Sequence, residues 1–173
     1  LAKKILKKHN KVNVIVSSNT ISHIKNLDDV FRGINLVLDD KGVFIIEDPS
    51  LLECLKKNTY DQFYNEHIYV FSYLSLSNAL KKHNLKIFKI EKLKIHGGSN
   101  RYYIKKNNNN IKVHKSVNYQ KHKEEKYGLN NLKTYLNFAK RVKLSKKKLL
   151  SIFMNCKNNN KKVIAYGATA KSV

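Results

Sequence analysis

The chain has 173 residues, and its 35 Lys and Arg against 12 Asp and Glu give a formal net charge of +23. Almost all of this charge is Lys, with Arg only at positions 32, 101 and 141, so specific recognition of nucleic acid through Arg side chains is not expected and is kept as an alternative. Cys54 and Cys156 argue against a disulfide framework or a zinc site, and no apolar run reaches the roughly 20 residues that span a bilayer, so we expect a cytoplasmic protein without metal in this chain.

The first part of the chain predicts a helix, a strand and a second helix. A short Lys-rich helix ends at His9 and Asn10, and residues 12–16 read as a strand. From residue 27 to 38 the apolar residues recur at helical spacing, with Asn26 as the N-cap.

A turn and a buried strand follow this second helix. Residues 39–42, Asp-Asp-Lys-Gly, predict the turn. Residues 43–46 are a continuous apolar run of the kind that is buried on both faces of a parallel sheet, and Pro49 ends it.

The middle of the chain predicts one more helix and a hairpin. Ser75 is expected to cap the helix, and Asn84 suits the left-handed residue after it. Residues 86–93 and 101–105 alternate apolar and polar side chains as edge strands do, with residues 96–99 connecting them. The predicted order is β-α-β-α-β-β, which implies parallel strands closed by a hairpin.

The last part of the chain predicts a connector and the start of a second unit. Residues 105–110 read as an exposed polar linker, and residues 121–153 keep helical spacing. Residues 162–166 then predict a buried strand, followed by a turn of small residues. Because the chain does not start with Met and stops just after this turn, we expect a piece of a longer protein. The expected domain limits are 1–106, 107–160 and 161–173.

Two motifs carry side chains suited to chemistry. Residues 64–67 read Tyr-Asn-Glu-His and place a phenol, a carboxylate and an imidazole just after a strand and its exit proline, which suits proton transfer. Residues 96–101 read His-Gly-Gly-Ser-Asn-Arg. The alternatives stay open: a core tyrosine and a solvated Glu–His pair for the first motif, and a hairpin turn with glycines at positive φ for the second.

The chain resembles class I S-adenosylmethionine (SAM) methyltransferases over residues 1–106. Residues 33–47, an amphipathic helix, an acidic turn and a buried strand ending in a carboxylate, are similar to the family's segment between its fourth and fifth strands. The resemblance implies an α/β fold: the C-terminal half of a Rossmann-like sheet with a closing hairpin, then a helical connector into a second, truncated Rossmann-like domain. Another parallel α/β domain is the alternative.

The two motifs narrow this resemblance to the nucleotide-sugar C-methyltransferases. Members carry Asp-x-x-Tyr-His-Glu-His, a Phe-Ser step and His-Gly-Gly-Ser-x-Arg. The matching residues here are Asp61, Tyr64, Glu66, His67, Phe71, Ser72, residues 96–99 and Arg101. The chain departs from the pattern at Asn65, where His is usual, and at Ser172, where Gly is usual. The family's zinc-binding cysteines and Gly-rich SAM loop have no counterpart, so zinc is expected only in an N-terminal domain outside this chain.

The resemblance implies SAM-dependent transfer of a methyl group to the carbon beside the ketone of a keto-deoxysugar that is linked to a nucleoside diphosphate. His67 is then the base that removes the α-proton, Tyr64 binds the enolate oxygen, and Glu66 orients His67 or binds a sugar hydroxyl. The implied cofactor-binding residues are Ser18, Asn19 and His23. The implied substrate-binding residues are His96, Gly97, Gly98, Ser99, Arg101 and Lys171.

These side chains should converge on one cleft at the carboxyl ends of the parallel strands, because both motif loops leave the sheet at that edge. The second enzyme hypothesis is a class I methyltransferase for another small molecule.

Overall fold

A four-stranded sheet forms the centre of the molecule, which a computed structural model describes over residues 1–167. The strand order is β1-β2-β4-β3; β1 is parallel to β2, and β4 is antiparallel to both β2 and β3. The predicted parallel pair closed by a hairpin is thus confirmed. The helices and strands are α1 (Ala2–His9), β1 (Val12–Ser18), α2 (Leu27–Val37), β2 (Leu38–Pro49), α3 (Leu51–Lys57), α4 (Tyr73–Lys81), β3 (Leu85–Leu93), β4 (Ser99–Lys106), α5 (Lys115–Tyr127) and α6 (Leu132–Asn158). Short 3₁₀ turns occupy Ile21–His23, Tyr60–Gln62 and Ile95–Gly97.

Helix α2 begins where the sequence predicts, because the Asn26 side chain accepts a hydrogen bond from the backbone N–H of Asp29 at 3.1 Å. The predicted separate turn at 39–42 is wrong: α2 runs directly into β2. The turn is instead a bulge inside that strand, since Val12 pairs with Leu38 whereas Val14 already pairs with Val43.

Helix α4 is capped by Ser72 rather than by Ser75. The Ser72 hydroxyl accepts from the Ser75 N–H at 3.0 Å, and the Ser75 hydroxyl accepts from the Ser72 N–H at 3.0 Å, a reciprocal capping box. The carboxylate of Glu124, on α5, accepts from the N–H groups of Tyr73 and Leu74 at 2.8 and 3.0 Å. An acceptor from another helix therefore completes this N-terminus.

Strand β4 lies inside the sheet, not at its edge as the alternating pattern predicts, and its residues Tyr102 and Ile104 are fully buried. The predicted exposed linker at 105–110 is wrong for residues 105, 106 and 109, which are buried, and is confirmed for residues 107, 108 and 110, which are exposed. The Lys105 ammonium donates to the carbonyl of Asn109 at 2.6 Å, and the Lys106 ammonium lies 3.0 Å from the Asp40 carboxylate. The long lysine stems are buried because both charged ends have oxygen partners.

Helices α5 and α6 confirm the helical spacing predicted over residues 121–153, although residues 128–131 divide it into two helices; their role as a connector stays a prediction. Val117 of α5 joins the main core, while Leu129 packs against Leu52 and Leu55 of α3. The helix α3 itself was not predicted. The limits 1–106, 107–160 and 161–173 stay a prediction, and the packing of α5 bears on the first of them because the physical core continues past residue 106.

The strand predicted at 162–166 is not formed. These residues have no regular secondary structure, and Ile164 is 87 % exposed. Within residues 1–167 no strand lies beside them to pair with their backbone. Lys171 and Ser172 lie outside the described residues. Across the described part of the chain, no helix combines the length and the apolar composition that crossing a membrane requires.

Candidate functional site

The carboxyl ends of the parallel strands gather the two motif loops at one edge of the sheet. Strand β1 ends at Ser18 and β2 at Pro49, and Pro49 pairs with Ser99 at the start of β4. Ser99 in turn pairs with Leu93 at the end of β3. The loops that leave β1, β2 and β3 therefore share this edge, which is where open α/β sheets bind ligands.

The chain turns sharply after β1, which brings His23 back over the end of the sheet. Asn19 has the left-handed φ of 49° that this residue type tolerates, and its N–H donates to the carbonyl of Glu47 at 2.8 Å. The following 3₁₀ turn buries Ile21 and Ser22, leaving the His23 ring half-buried beside the edge. Ser18 stays exposed at the end of the strand.

A tight turn brings Tyr64 and His67 together. The His67 N–H donates to the carbonyl of Tyr64 at 3.0 Å, which closes the turn across residues 64–67. The two rings then lie 4.4 Å apart between centroids, and the His23 ring meets His67 edge-on at 4.8 Å. We call Tyr64, His67 and His23 the ring cluster. Asn65 and Glu66 stand exposed at the tip of the turn.

The tautomer of His67 follows from its hydrogen bond. Its Nδ1 lies 2.8 Å from the carbonyl oxygen of Gln62, which is an acceptor only. In the neutral ring Nδ1 therefore carries the proton and Nε2 carries the lone pair, as a general base requires. The Gln62 carbonyl thus holds the ring at Nδ1, and the predicted role of Glu66, orienting His67 or binding a sugar hydroxyl, stays a prediction.

A buried carboxyl group lies beside the ring cluster. Asp48 is 1 % exposed, one residue before the end of β2, and its Oδ1 accepts from the Ser22 hydroxyl at 2.8 Å. Burial raises the pKa of Asp48 to about 6, against the opposing effects of the Ser22 hydrogen bond and of the nearby His23. Asp48 and Ser22 were not predicted from the sequence, although a Glu-Asp-Pro sequence at the end of a strand is a signal that points to Asp48.

The second motif forms a turn at the same edge of the sheet, where it joins β3 to β4, at the end of the strand order opposite to β1. His96, Gly97 and Gly98 have φ values of 50°, 78° and 127°. The Lys57 ammonium donates to the carbonyl of Gly97 at 2.6 Å, and the Ser50 N–H donates to the carbonyl of Gly98 at 3.0 Å. This turn is bound to helix α3 and its N-cap.

Two further residues predicted to bind substrate have partners within the protein. The Ser99 hydroxyl donates to the carbonyl of Ile95 at 3.3 Å. The Arg101 guanidinium donates through Nε to the Glu47 carboxylate at 2.9 Å, with a second nitrogen 2.7 Å from the same oxygen. Arg101 thus joins β4 to β2 across the sheet surface.

Two cavities lie away from the ring cluster. A polar one is lined by Asn35, Asp40, Asn84 and Lys106 at the opposite edge of the sheet. The other is an apolar groove of about 780 Å³ along α1, β1 and α2. Neither is lined by Tyr64 or His67, so the chemistry of the side chains, rather than cavity size, marks the candidate site.

The comparisons with known proteins agree with this α/β architecture. A family model described as a methyltransferase domain matches residues 2–90, which is more than half of the chain. The chain therefore belongs to the methyltransferase domain family. A second model, the C-methyltransferase C-terminal domain, matches residues 94–173.

One curated relative is C-methyltransferase NovU from Streptomyces niveus, which is 26 % identical over 171 residues covering 99 % of this chain. The chain spans 41 % of the length of that relative. Among solved structures, magnesium protoporphyrin IX methyltransferase (ChlM) from Synechocystis PCC 6803 with bound SAH aligns with 54 % of this chain and 44 % of its own, at 11 % identity and a TM-score of 0.40. This likeness is too low to carry an argument.

Proposed function

We propose that this chain belongs to a SAM-dependent C-methyltransferase that methylates the carbon beside the ketone of a nucleotide-linked keto-deoxysugar. The observation that carries the proposal is the ring cluster at the carboxyl edge of the sheet, with the proton of His67 held on Nδ1 by Gln62. The family of the chain and its similarity to a C-methyltransferase over 171 residues support the class of reaction.

Carbon methylation beside a ketone begins with removal of an α-proton, because the resulting enolate is the nucleophile. His67 takes that proton at Nε2, while its Nδ1–H stays on the Gln62 carbonyl and stabilises the imidazolium that forms. The Tyr64 hydroxyl, on a ring 4.4 Å from that of His67, donates to the developing enolate oxygen. SAM, when bound, supplies the electrophilic methyl group.

The end of β1 fits one wall of a nucleoside site. Ser18 is exposed and Asn19 half-buried, and the Asn19 amide donates to the Ser18 hydroxyl at 3.3 Å, so both polar groups stand at the strand end. Such groups hydrogen-bond a nucleoside well. In this proposal Ser18, Asn19 and His23 contact SAM, as the resemblance implies. Because its ring also meets that of His67 at 4.8 Å, His23 lies between the cofactor and the reacting carbon.

The substrate side of the proposal rests on the second motif. The peptide groups of Gly97 and Gly98 and the exposed His96 approach the nucleotide-sugar, with Lys171 adding a positive charge for its diphosphate.

One observation favours a second candidate, a methyltransferase for a small molecule without phosphate. The Arg101 guanidinium, which the resemblance assigns to substrate, already binds Glu47 through two nitrogens. Binding a phosphate at Arg101 would require that ion pair to open.

The test uses the complete gene product that contains this chain. It is incubated with methyl-deuterated SAM and either nucleoside-diphosphate keto-sugars or the phosphate-free sugars, and the products are mapped by mass spectrometry and NMR. The proposal expects a new C–CD₃ bond beside the ketone of the nucleotide-linked sugar. Transfer to oxygen or nitrogen, or equal transfer to phosphate-free acceptors, would contradict it. As a control, His122→Gln, which changes an exposed histidine on α5, should form the same product as the parent.

A further inference from the structure

The carboxyl group of Asp48 is buried with only half of its hydrogen-bonding capacity used. Its Oδ1 accepts from Ser22, whereas its Oδ2 is fully buried and has no hydrogen-bond partner among the described residues. A carboxylate left in this state costs stability, and such exceptions in folded proteins call for an explanation.

Two titratable groups from other elements lie near this carboxyl: His23, on the 3₁₀ turn after β1, and Tyr102, on the neighbouring strand β4. Glu47 precedes Asp48 on its own strand, with its side chain on the opposite face of the sheet. Because His23 is a member of the ring cluster, the surroundings of Asp48 link it to that cluster.

Ser22 connects Asp48 to the backbone on both sides of the ring cluster. Its hydroxyl binds Asp48, and its carbonyl accepts from the N–H groups of Ile68 and Tyr69 at 3.0 and 3.1 Å. Ile68 directly follows His67, and Ser22 directly precedes His23. Ser22, which is bonded to the Asp48 carboxylate, therefore connects the chain just before His23 with the chain just after His67.

We propose that Asp48 is a positioning residue, which acts through Ser22 to hold the His23 and His67 rings in contact. This inference rests on the proposed function for its link to catalysis, and its geometric part stands apart from it. A core chosen for stability alone would place an apolar side chain or a fully bonded amide here. The presence of a carboxyl group is explained if Asp48 maintains the 4.8 Å contact between the two rings.

The first experiment measures geometry without activity, in the complete gene product. The histidines are carbethoxylated with diethylpyrocarbonate, and the modification of each one is followed by peptide mass spectrometry in the parent, Asp48→Ala, which removes the acceptor of the Ser22 hydroxyl, and Ser22→Ala. The expected result is that both variants raise the modification rate of His67 and His23 about threefold or more, since the rings separate, and leave His122 unchanged. Equal rates in all three proteins would overturn the inference.

The second experiment separates the inference from the proposed function. In the keto-sugar assay, both variants are expected to lower kcat by roughly 10- to 100-fold with KM for SAM nearly unchanged, as misplacement of a catalytic group does. The double variant should lose no more activity than the less active single variant, because both substitutions remove the same Ser22–Asp48 hydrogen bond. An active parent with active variants overturns the inference alone. An inactive parent whose variants still change the carbethoxylation pattern overturns the proposed function alone. Should Asp48→Ala fail to fold, Ser22→Ala, which deletes one hydroxyl, gives both readouts.

Discussion

The two ends of the ligand edge differ in how their motif residues are bonded. On the β1 side, aromatic rings from two loops meet at 4.4 and 4.8 Å above a carboxyl group that is only partly bonded. On the β4 side, the Gly97 and Gly98 carbonyls and the Arg101 guanidinium all have partners within the protein. The β4 side is therefore fixed by bonds within its own loop and sheet, whereas the rings of the β1 side, for which we propose catalysis, lie beside a carboxyl oxygen that has no hydrogen-bond partner among the described residues.

The largest expected effect breaks the β1 side. His67→Ala should lower kcat by about 100-fold or more with a smaller change in KM, since a base acts in the transition state. Steady-state kinetics of methyl transfer measure it. The matched control is Asn65→His in the same turn, which restores the usual family residue at an exposed position and should keep full activity. Comparable losses in both variants would assign the effect to the turn rather than to the imidazole.

The next effect breaks the β4 side through its turn. A Cβ at Gly98 would lie 2.9 Å from the Cβ and Cγ of Glu53, at a φ of 127°, so Gly98→Ala should lower the free energy of unfolding by about 1–3 kcal/mol. Urea unfolding followed by circular dichroism measures the change. Gly33→Ala is the control, because its new Cβ would sit 3.6 Å from Ala2 in ordinary contact within a helix. Equal stability of the two variants would show that the turn is not constrained.

A pH-dependent effect tests the incomplete bonding on the β1 side. The pKa of Asp48 is raised to about 6 in the folded protein, so the folded state favours the neutral acid. The stability that this group contributes is complete below its unfolded pKa, near 4, and is lost as the pH rises to about 6. Asp48→Asn should therefore raise the unfolding free energy by roughly 1–3 kcal/mol at pH 8, with the gain shrinking towards pH 4. Thermal melts across this range check it, and a gain independent of pH would contradict the assignment.

The smallest effect decides what Arg101 does. Its side chain is 37 % exposed and paired with Glu47, so Arg101→Met should cost about 1 kcal/mol or less in stability. If the pair is only structural, KM for the nucleotide-sugar will not change. A tenfold rise in KM with unchanged kcat would show instead that Arg101 leaves Glu47 to bind the substrate, which would make the two sides of the edge functionally alike.

Local patterns predicted most of the elements. The Asn26 cap of α2 and the buried run of β2 depend on neighbours in sequence, and both were predicted. Strand β4 is interior because β4, and not β3, pairs with β2. The alternation of apolar and polar residues does not predict which of the two hairpin strands makes that pair. The polar run 105–110 was misread in part because Lys106 is buried against Asp40, which lies far away in sequence. Lys105 is buried as well, but its ammonium donates to the nearby carbonyl of Asn109.

For the candidate site, too, local patterns predicted only part of the arrangement. Tyr64 and His67 were identified by their motif, and their contact follows from a local turn. The proposed support for their contact with His23 is the hydrogen bond between Ser22 and Asp48, which are 26 residues apart in sequence. No local pattern encodes a contact of that kind, so the support beneath the ring cluster emerged only in the folded chain.

The most direct test of the central claim is solvent exchange at the sugar carbon in the absence of SAM. The complete gene product is incubated in D₂O with the nucleotide-linked keto-sugar, and loss of the α-proton signal is followed by NMR. We expect exchange in the parent, none above background in His67→Gln, and parental exchange in His122→Gln. Exchange that persists in His67→Gln would contradict the claim that this imidazole is the base.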